Sequence, residues 1–129
     1  MSGPRLVETL PPSRIHRGEI WLYTPPNKNS PANRDRQPSD KRRPVVILSR
    51  QRVIGLLRTV MVAPVTSAIR GLPSEVPLDE SNGLKHASAA NLDHIQTVNQ
   101  QHLRQFVGSL TPEQMRQICR ALSIATGCD

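Results

Sequence analysis

Arg43 and Thr66 are the residues whose types and places most readily suggest chemistry. Arg43 opens the run Arg43-Pro44-Val45-Val46-Ile47-Leu48-Ser49, and Thr66 lies near the end of Arg58-Thr59-Val60-Met61-Val62-Ala63-Pro64-Val65-Thr66-Ser67. A guanidinium stays protonated and offers a planar fork to phosphate oxygens; it stabilises negative charge and does not serve as a base. A threonine hydroxyl can bond the same phosphate or hold the guanidinium. The plainer alternative is an Arg43 that caps a strand through a surface ion pair and a Thr66 that merely fills one. Asp93, His86 and His94 can move protons, the histidines near neutral pH. Asp93 equally suits a turn in which it binds its own backbone. His16 and His102 read as surface residues. Four scattered histidines without carboxylates at ligand spacing do not make a metal site, and no cofactor is implied.

These groups need elements to hold them. Residues 45–48 and 60–65 are too short and too apolar for surface helices and read as central strands. If they lie antiparallel and adjacent, Arg43 and Thr66 share one end of a sheet. Pro44 belongs at a strand start or an edge, and Pro64 implies a bulge or an end to regular pairing. Residues 18–23 form a first strand, with Ile20 and Leu22 on one face and Trp21, a core residue, with Tyr23 on the other. Residues 75–78 are a short strand interrupted by Pro77, and Ser81-Asn82-Gly83 is a turn. Residues 88–92 and 96–98 are a strand pair or one interrupted strand, and 106–109 a last strand. Thr111, Pro112 and Gln114 then carry an N-cap, a first-turn proline and a capping box. Met115, Ile118, Cys119, Leu122 and Ala125 form the apolar stripe of a helix that ends at Gly127 and packs on the sheet.

The chain has 129 residues, enough for one domain. We read residues 1–13, with three prolines, as a flexible arm and residues 14–129 as the domain. Residues 24–42 hold four prolines, five Lys or Arg, two Asp and Ala32 as the one apolar side chain, which predicts a long basic flexible loop. The net charge is +7 and uneven: residues 1–70 carry 13 Lys and Arg against 4 Asp and Glu, residues 71–129 carry 4 against 6. A basic half suits a phosphate-bearing polymer or an acidic protein segment; a solvated surface is the bland alternative. In the loop, Lys28, Arg34, Arg36, Lys41 and Arg42 would add affinity for phosphates without reading sequence. Cys119 and Cys128 form neither a disulfide framework nor a metal pair; Cys119 reads as a small core residue. Neither a signal peptide nor a membrane span is expected, which predicts a cytoplasmic protein.

Six segments in order carry a resemblance. They are Arg17-Gly18-Glu19-Ile20-Trp21-Leu22, residues 43–49, Val62-Ala63-Pro64-Val65-Thr66-Ser67, Leu72-Pro73-Ser74-Glu75-Val76-Pro77-Leu78, Asn91-Leu92-Asp93-His94-Ile95-Gln96-Thr97-Val98 and Val107-Gly108-Ser109-Leu110. With them the chain resembles the MazF/PemK (Kid-like) toxins of bacterial toxin–antitoxin systems over residues 17–122. The resemblance implies a mainly β fold with a C-terminal α-helix, an SH3-like barrel or curved antiparallel sheet, assembled as a homodimer. It implies a metal-independent, sequence-selective endoribonuclease that cleaves single-stranded RNA and is neutralised by a cognate antitoxin. Without metal, the RNA's own 2′-hydroxyl attacks the adjacent phosphate, leaving 2′,3′-cyclic phosphate and 5′-hydroxyl ends. Such a reaction needs a base, an acid and stabilisation of the phosphorane charge.

Arg43 and Thr66 match the family's Arg-Pro and Pro-x-Thr motifs at the active site. Asp93 matches its Arg-x-Asp segment, but Asn91 stands where Kid-like members have arginine. Ser67, His86, Asn91 and His94 join the loop cations as expected RNA contacts. The loop between the first two strands, which moves over RNA in family members, is here long and basic. Two other functions stay open: a non-enzymatic CcdB-like toxin that binds gyrase, and an inactive basic RNA-binding module, which Asn91 makes conceivable.

Overall fold

The computed structural model describes residues 14–26 and 42–129. The arm at 1–13 and residues 27–41, with Lys28, Arg34, Arg36 and Lys41, lie outside the described residues. The two apolar runs become β2 (Arg43–Ile47) and β3 (Thr59–Thr66), paired antiparallel with Val45 opposite Pro64 and Ile47 opposite Val62. On the outer side of β2 lies β1 (Glu19–Tyr23), Tyr23 opposite Arg43, followed by β7 (Leu103–Ser109). The other side of β3 serves two neighbours in turn. Its first half pairs with β6 (Gln96–Asn99), Val60 opposite Val98; its last two residues pair with β5 (Ser88–Asn91), which carries β4 (Glu75–Leu78) at the edge. Pro64 falls between those two stretches, where the ladder changes partner and a missing N–H is tolerated. Every pairing is antiparallel, and the sheet carries one long helix at its C-terminal end.

Side chains of successive strand residues point to opposite faces, and both faces of the centre are covered. Ile20, Val46, Ala63 and Val65 meet Val76, Leu78 and Leu92 beneath the helix α2 (Pro112–Thr126), which contributes Ile118 and Ala121. Trp21, Val45, Ile47, Val60 and Val62 build a second cluster with Ile15, Val98, Leu103 and Ile54, the last from a single turn α1 (Gln51–Ile54). Burial on both sides explains why β2 and β3 read as continuous apolar runs rather than alternating ones. Each fully buried Val or Ile contributes about 1.5–3 kcal/mol.

The helix starts as its sequence dictates. Thr111 Oγ1 accepts the Gln114 N–H at 3.1 Å, and Gln114 Oε1 accepts the Thr111 N–H at 2.9 Å. Gln114 also exchanges hydrogen bonds with Asn82, which is buried and donates to the Ser109 carbonyl at 3.0 Å. This ties the helix N-terminus to the 3₁₀ turn Glu80–Asn82. Backbone contact completes the tie. A Cβ on Gly108 would strike the Asn82 carbonyl and one on Gly83, whose φ is +90°, would strike that of Val107. The segment after Gly83, with Leu84, Lys85 and His86, is thereby pinned against β7.

Several expectations need correction. Cys119 is exposed, beside the Arg17 guanidinium at 3.6 Å; the buried stripe runs through Ile118 and Ala121, and position 119 lies about 100° round the helix from 118. β5 and β6 are separate strands that pair with different parts of β3 and not with each other, and β7 begins at Leu103 rather than 106. Among the described residues no helix is long and apolar enough to cross a membrane.

Gly108→Ala is expected to lower stability by about 2 kcal/mol or more, since backbone atoms must move. Gly55→Ala, with nothing within 4 Å of the added methyl, should leave stability unchanged or slightly raised. Urea denaturation of the two variants beside the native chain checks both.

Candidate nucleic-acid interface

The β2–β3 register, continued two places beyond Val45 and Pro64, brings Arg43 opposite Thr66. Tyr23 lies beside Arg43 and Ala89 beside Thr66, so the four positions follow one another along a rim of the sheet. Arg43 is exposed and makes no ion pair among the described residues. Thr66 is half-buried. Its Oγ1 accepts the Ala68 N–H at 3.0 Å, which fixes the oxygen and leaves the hydroxyl hydrogen to donate outward.

Strand alternation divides the rim. Arg43 and Thr66 belong to the face of Val45 and Val62; Arg42, Pro44, Val65 and Ser67 belong to the other. On that other face a cleft of about 570 Å³ opens. Its floor is Leu22, Pro44, Val65 and Leu84, and its mouth carries Arg42, Ser67, Lys85, His86 and Gln105. A smaller hollow of about 250 Å³ shares Leu22, Arg42 and Gln105 and adds Arg104. Among the described residues no carboxylate lines either hollow, so phosphates would meet cations without competing acids.

Asn91, Asp93 and His94 form a separate group. Thr66 pairs with Ala89, whereas Asn91, at the far end of β5, faces Glu75. Asp93 lies four positions beyond Ala89, past the end of β5 in the 3₁₀ turn Leu92–His94. The turn expected of Asp93 is made by Asn91, whose Oδ1 accepts the Asp93 N–H at 2.9 Å and caps the 3₁₀ turn Leu92–His94. Asp93 Oδ2 accepts from Ser74 Oγ at 2.5 Å. Thus within one chain the β2–β3 register, extended, aligns Arg43 with Thr66, and the cleft collects Arg42, Ser67 and His86, while Asp93 bonds Ser74 and lines neither hollow.

What Asp93 does touch is the loop 67–74, which leaves Thr66 directly. A second carboxylate holds the same loop. Glu75 Oε1 accepts the N–H groups of Arg70 at 3.1 Å, Gly71 at 2.8 Å and Leu72 at 3.3 Å. Glu75 Oε2 is buried with no hydrogen-bond partner among the described residues. Sequence reasoning read Glu75 only as a strand residue. It also passed over Lys85, Arg104 and Gln105, because charge counted by halves hides cations of the acidic half that the fold carries to the basic rim. The adjacent pair Lys85-His86, just past a glycine turn, was the available signal. No three His, Cys, Asp or Glu among the described residues are grouped to hold a metal ion.

Comparison with known proteins identifies a family and a fold. Residues 16–126 match the model of the family described as PemK-like, MazF-like toxin of type II toxin–antitoxin systems. The chain is 47% identical over 88 residues, 67% of its length, to 81% of a protein of Mycobacterium tuberculosis named Probable endoribonuclease MazF5. It is 40% identical over 90 residues, 70% of its length, to 87% of Endoribonuclease MazF3 from the same species. Among solved structures, Mycobacterium tuberculosis toxin MazF-mt6 superposes with a TM-score of 0.72 at 33% identity, covering 86% of this chain and 98% of that one.

Glu75→Ala is expected to cost about 2 kcal/mol by removing charge-assisted bonds to three amides. Amide hydrogen exchange at Arg70, Gly71 and Leu72 should accelerate with it, while exchange in β2 keeps its native rank. Unchanged protection at those three amides would show that the loop holds without the carboxylate.

Proposed function

The chain belongs to the PemK-like, MazF-like toxin family of type II toxin–antitoxin systems, and from that membership we propose that it is an endoribonuclease acting on single-stranded RNA without a metal ion. The observation that carries the reading is the register of Arg43 with Thr66 on a rim whose hollows are lined by cations and, among the described residues, by no carboxylate. In the proposed reaction the ribose 2′-oxygen attacks the adjacent phosphorus as its proton leaves. The bond from phosphorus to the 5′-oxygen breaks, and a proton goes to that oxygen. The products are a 2′,3′-cyclic phosphate and a 5′-hydroxyl.

Arg43 binds the non-bridging oxygens, where charge grows most in the phosphorane, and Thr66 donates its hydroxyl hydrogen to one of them. Such preorganised donors are worth more in the transition state than in the ground state. His86, at the cleft mouth on this rim, is the candidate for proton transfer. Asp93 acts through Ser74 on the loop that carries Ser67, and Asn91 and His94 stand beside it. Lys28, Arg34, Arg36, Lys41 and Arg42 neutralise flanking phosphates, which makes binding fall steeply with salt.

An antitoxin with an acidic segment would compete for the same cations. Exposed Met61, Ile69, Leu72 and Ile95 supply apolar surface for a homodimer. An RNA substrate places the protein in the cytoplasm. A gyrase-binding role has no use for a phosphate site at Arg43 and Thr66, and a passive RNA-binding module has no use for a hydroxyl aligned with the guanidinium.

The test is purified chain, free of antitoxin, with mixed-sequence single-stranded RNA in excess EDTA, fragment ends read by mass spectrometry. Discrete cuts with cyclic phosphate ends are expected. Arg43→Ala should slow them at least ~100-fold, the effect of losing one charge-stabilising donor. Asp93→Asn, which keeps an acceptor for Ser74, should slow them less than tenfold. Uncut RNA from folded protein would sink the enzyme reading.

A further inference from the structure

We propose that the cleft behind the rim holds one unpaired base of the RNA and that Gln105 reads the identity of that base. The proposal rests on the endoribonuclease reading above and adds to it a residue that determines sequence choice.

A nucleotide in single-stranded RNA offers a flat, weakly polar base and an anionic phosphate. The cleft offers the complement of both: an apolar floor of Leu22, Pro44, Val65 and Leu84, with cations only at the mouth. Its size, about 570 Å³, is in the range of small-molecule sites and exceeds what one side chain of a protein partner would fill. Its position follows from strand alternation. Val65 on the floor and Ser67 at the mouth flank Thr66 in sequence, and Arg42 precedes Arg43. A base in the cleft therefore lies within one nucleotide's reach of a phosphate held by Arg43 and Thr66.

The cations at the mouth bind phosphate and cannot distinguish sequences. Discrimination needs a side chain with donors and acceptors in fixed relation, and Gln105 supplies one acceptor and two donors. It lines both hollows, at their junction, on β7, where it pairs with Leu22 of β1 next to an irregularity of the ladder at Arg104. Its amide is exposed and makes no hydrogen bond among the described residues, so nothing in the fold consumes it. The opposite wall begins in close backbone contact with β7, where Gly83 and Gly108 bring the turn before Leu84 against the strand. A free amide over a preformed apolar floor is the arrangement that pairs with a base edge, and a bidentate pair of this kind discriminates by roughly 5- to 150-fold.

The experiment is cleavage of a randomised single-stranded RNA pool by the native chain, Gln105→Ala and Arg104→Ala, with every cut site sequenced. For Gln105→Ala the expected result is relaxed preference at one nucleotide position. kcat/KM on the native enzyme's preferred sequence should fall about tenfold or more, and sequences differing at that position should be cut within roughly threefold of the native rate. Arg104→Ala should slow all sequences alike and reduce the salt dependence. Unchanged preference in Gln105→Ala overturns the proposal, as does a uniform fall across all sequences. Unchanged preference with weakened binding of an acidic antitoxin peptide overturns it in favour of a protein-binding cleft. Failure of the native chain to cut any RNA removes the endoribonuclease reading itself, and this proposal with it.

Discussion

The β2–β3 ladder is the constraint on which the rest of the molecule depends. Val45, Val46 and Ile47 pair with Pro64, Ala63 and Val62, and all of these but Pro64 are buried. A slip of one residue would move Val46 and Ala63 out of the helix-covered cluster and Val45 and Val62 out of the other, reversing every side chain in both cores. The same register sets Arg43 against Thr66. The site is therefore specified by core packing: the pressure that keeps isoleucine and valine inside also keeps a cation beside a hydroxyl at the rim. Among the described residues neither makes an ion pair.

Much of this was legible in the sequence where the signal was local. The two central strands declared themselves by β-branched runs bounded by polar residues, and α2 by Thr111, Pro112, Gln114 and Gly127. That Arg43 and Thr66 share one end of the sheet followed from antiparallel neighbours. Non-local features were not legible. That β3 exchanges β6 for β5 at Pro64 depends on which strands find it in space, although the proline did mark the place. Cys119 looked like core because helical spacing does not say which of two adjacent residues faces the sheet. The cleft escaped because its lining comes from β1, β2, β3, β5, β7 and the segment after Gly83, with no contiguous motif. Asp93 was identified as a reacting group or a turn former, and the structure gives the turn to Asn91 and ties Asp93 to Ser74.

The acids of the chain explain why the rim is more positive than net charge suggests. Several carboxylates are engaged in local structure. Glu75 and Asp93 hold the loop 67–74, Asp79 accepts from the backbone and hydroxyl of Ser81, and Glu19 accepts from the His16 N–H and Trp21 Nε1. The hydrogen bonds from Ser81 hold Asp79 below the usual carboxylate range, and the guanidinium of Arg116 does the same for Glu113. A carboxylate with a depressed folded pKa favours the folded chain above its unfolded pKa, and that contribution disappears as pH falls through the folded one. Asp79 begins the turn that leads to Gly83, so its protonation at low pH acts on a wall of the cleft and not on the ladder that sets Arg43 and Thr66.

Alternation along a strand also offers a way to separate cutting from choosing. Two arginines in succession, 42 and 43, and two hydroxyl residues in succession, 66 and 67, each send one member to either side of the same rim. Substitutions on the cleft side can change which base is accepted while the phosphate-binding pair keeps its register, since that register is set by apolar residues further down β2 and β3. Substitutions at Arg43 and Thr66, on the other side, act on phosphate binding and leave the cleft floor of Leu22, Val65 and Leu84 in place. A fold of this kind can diversify its recognition sequence through residues such as Gln105 without redesigning its core.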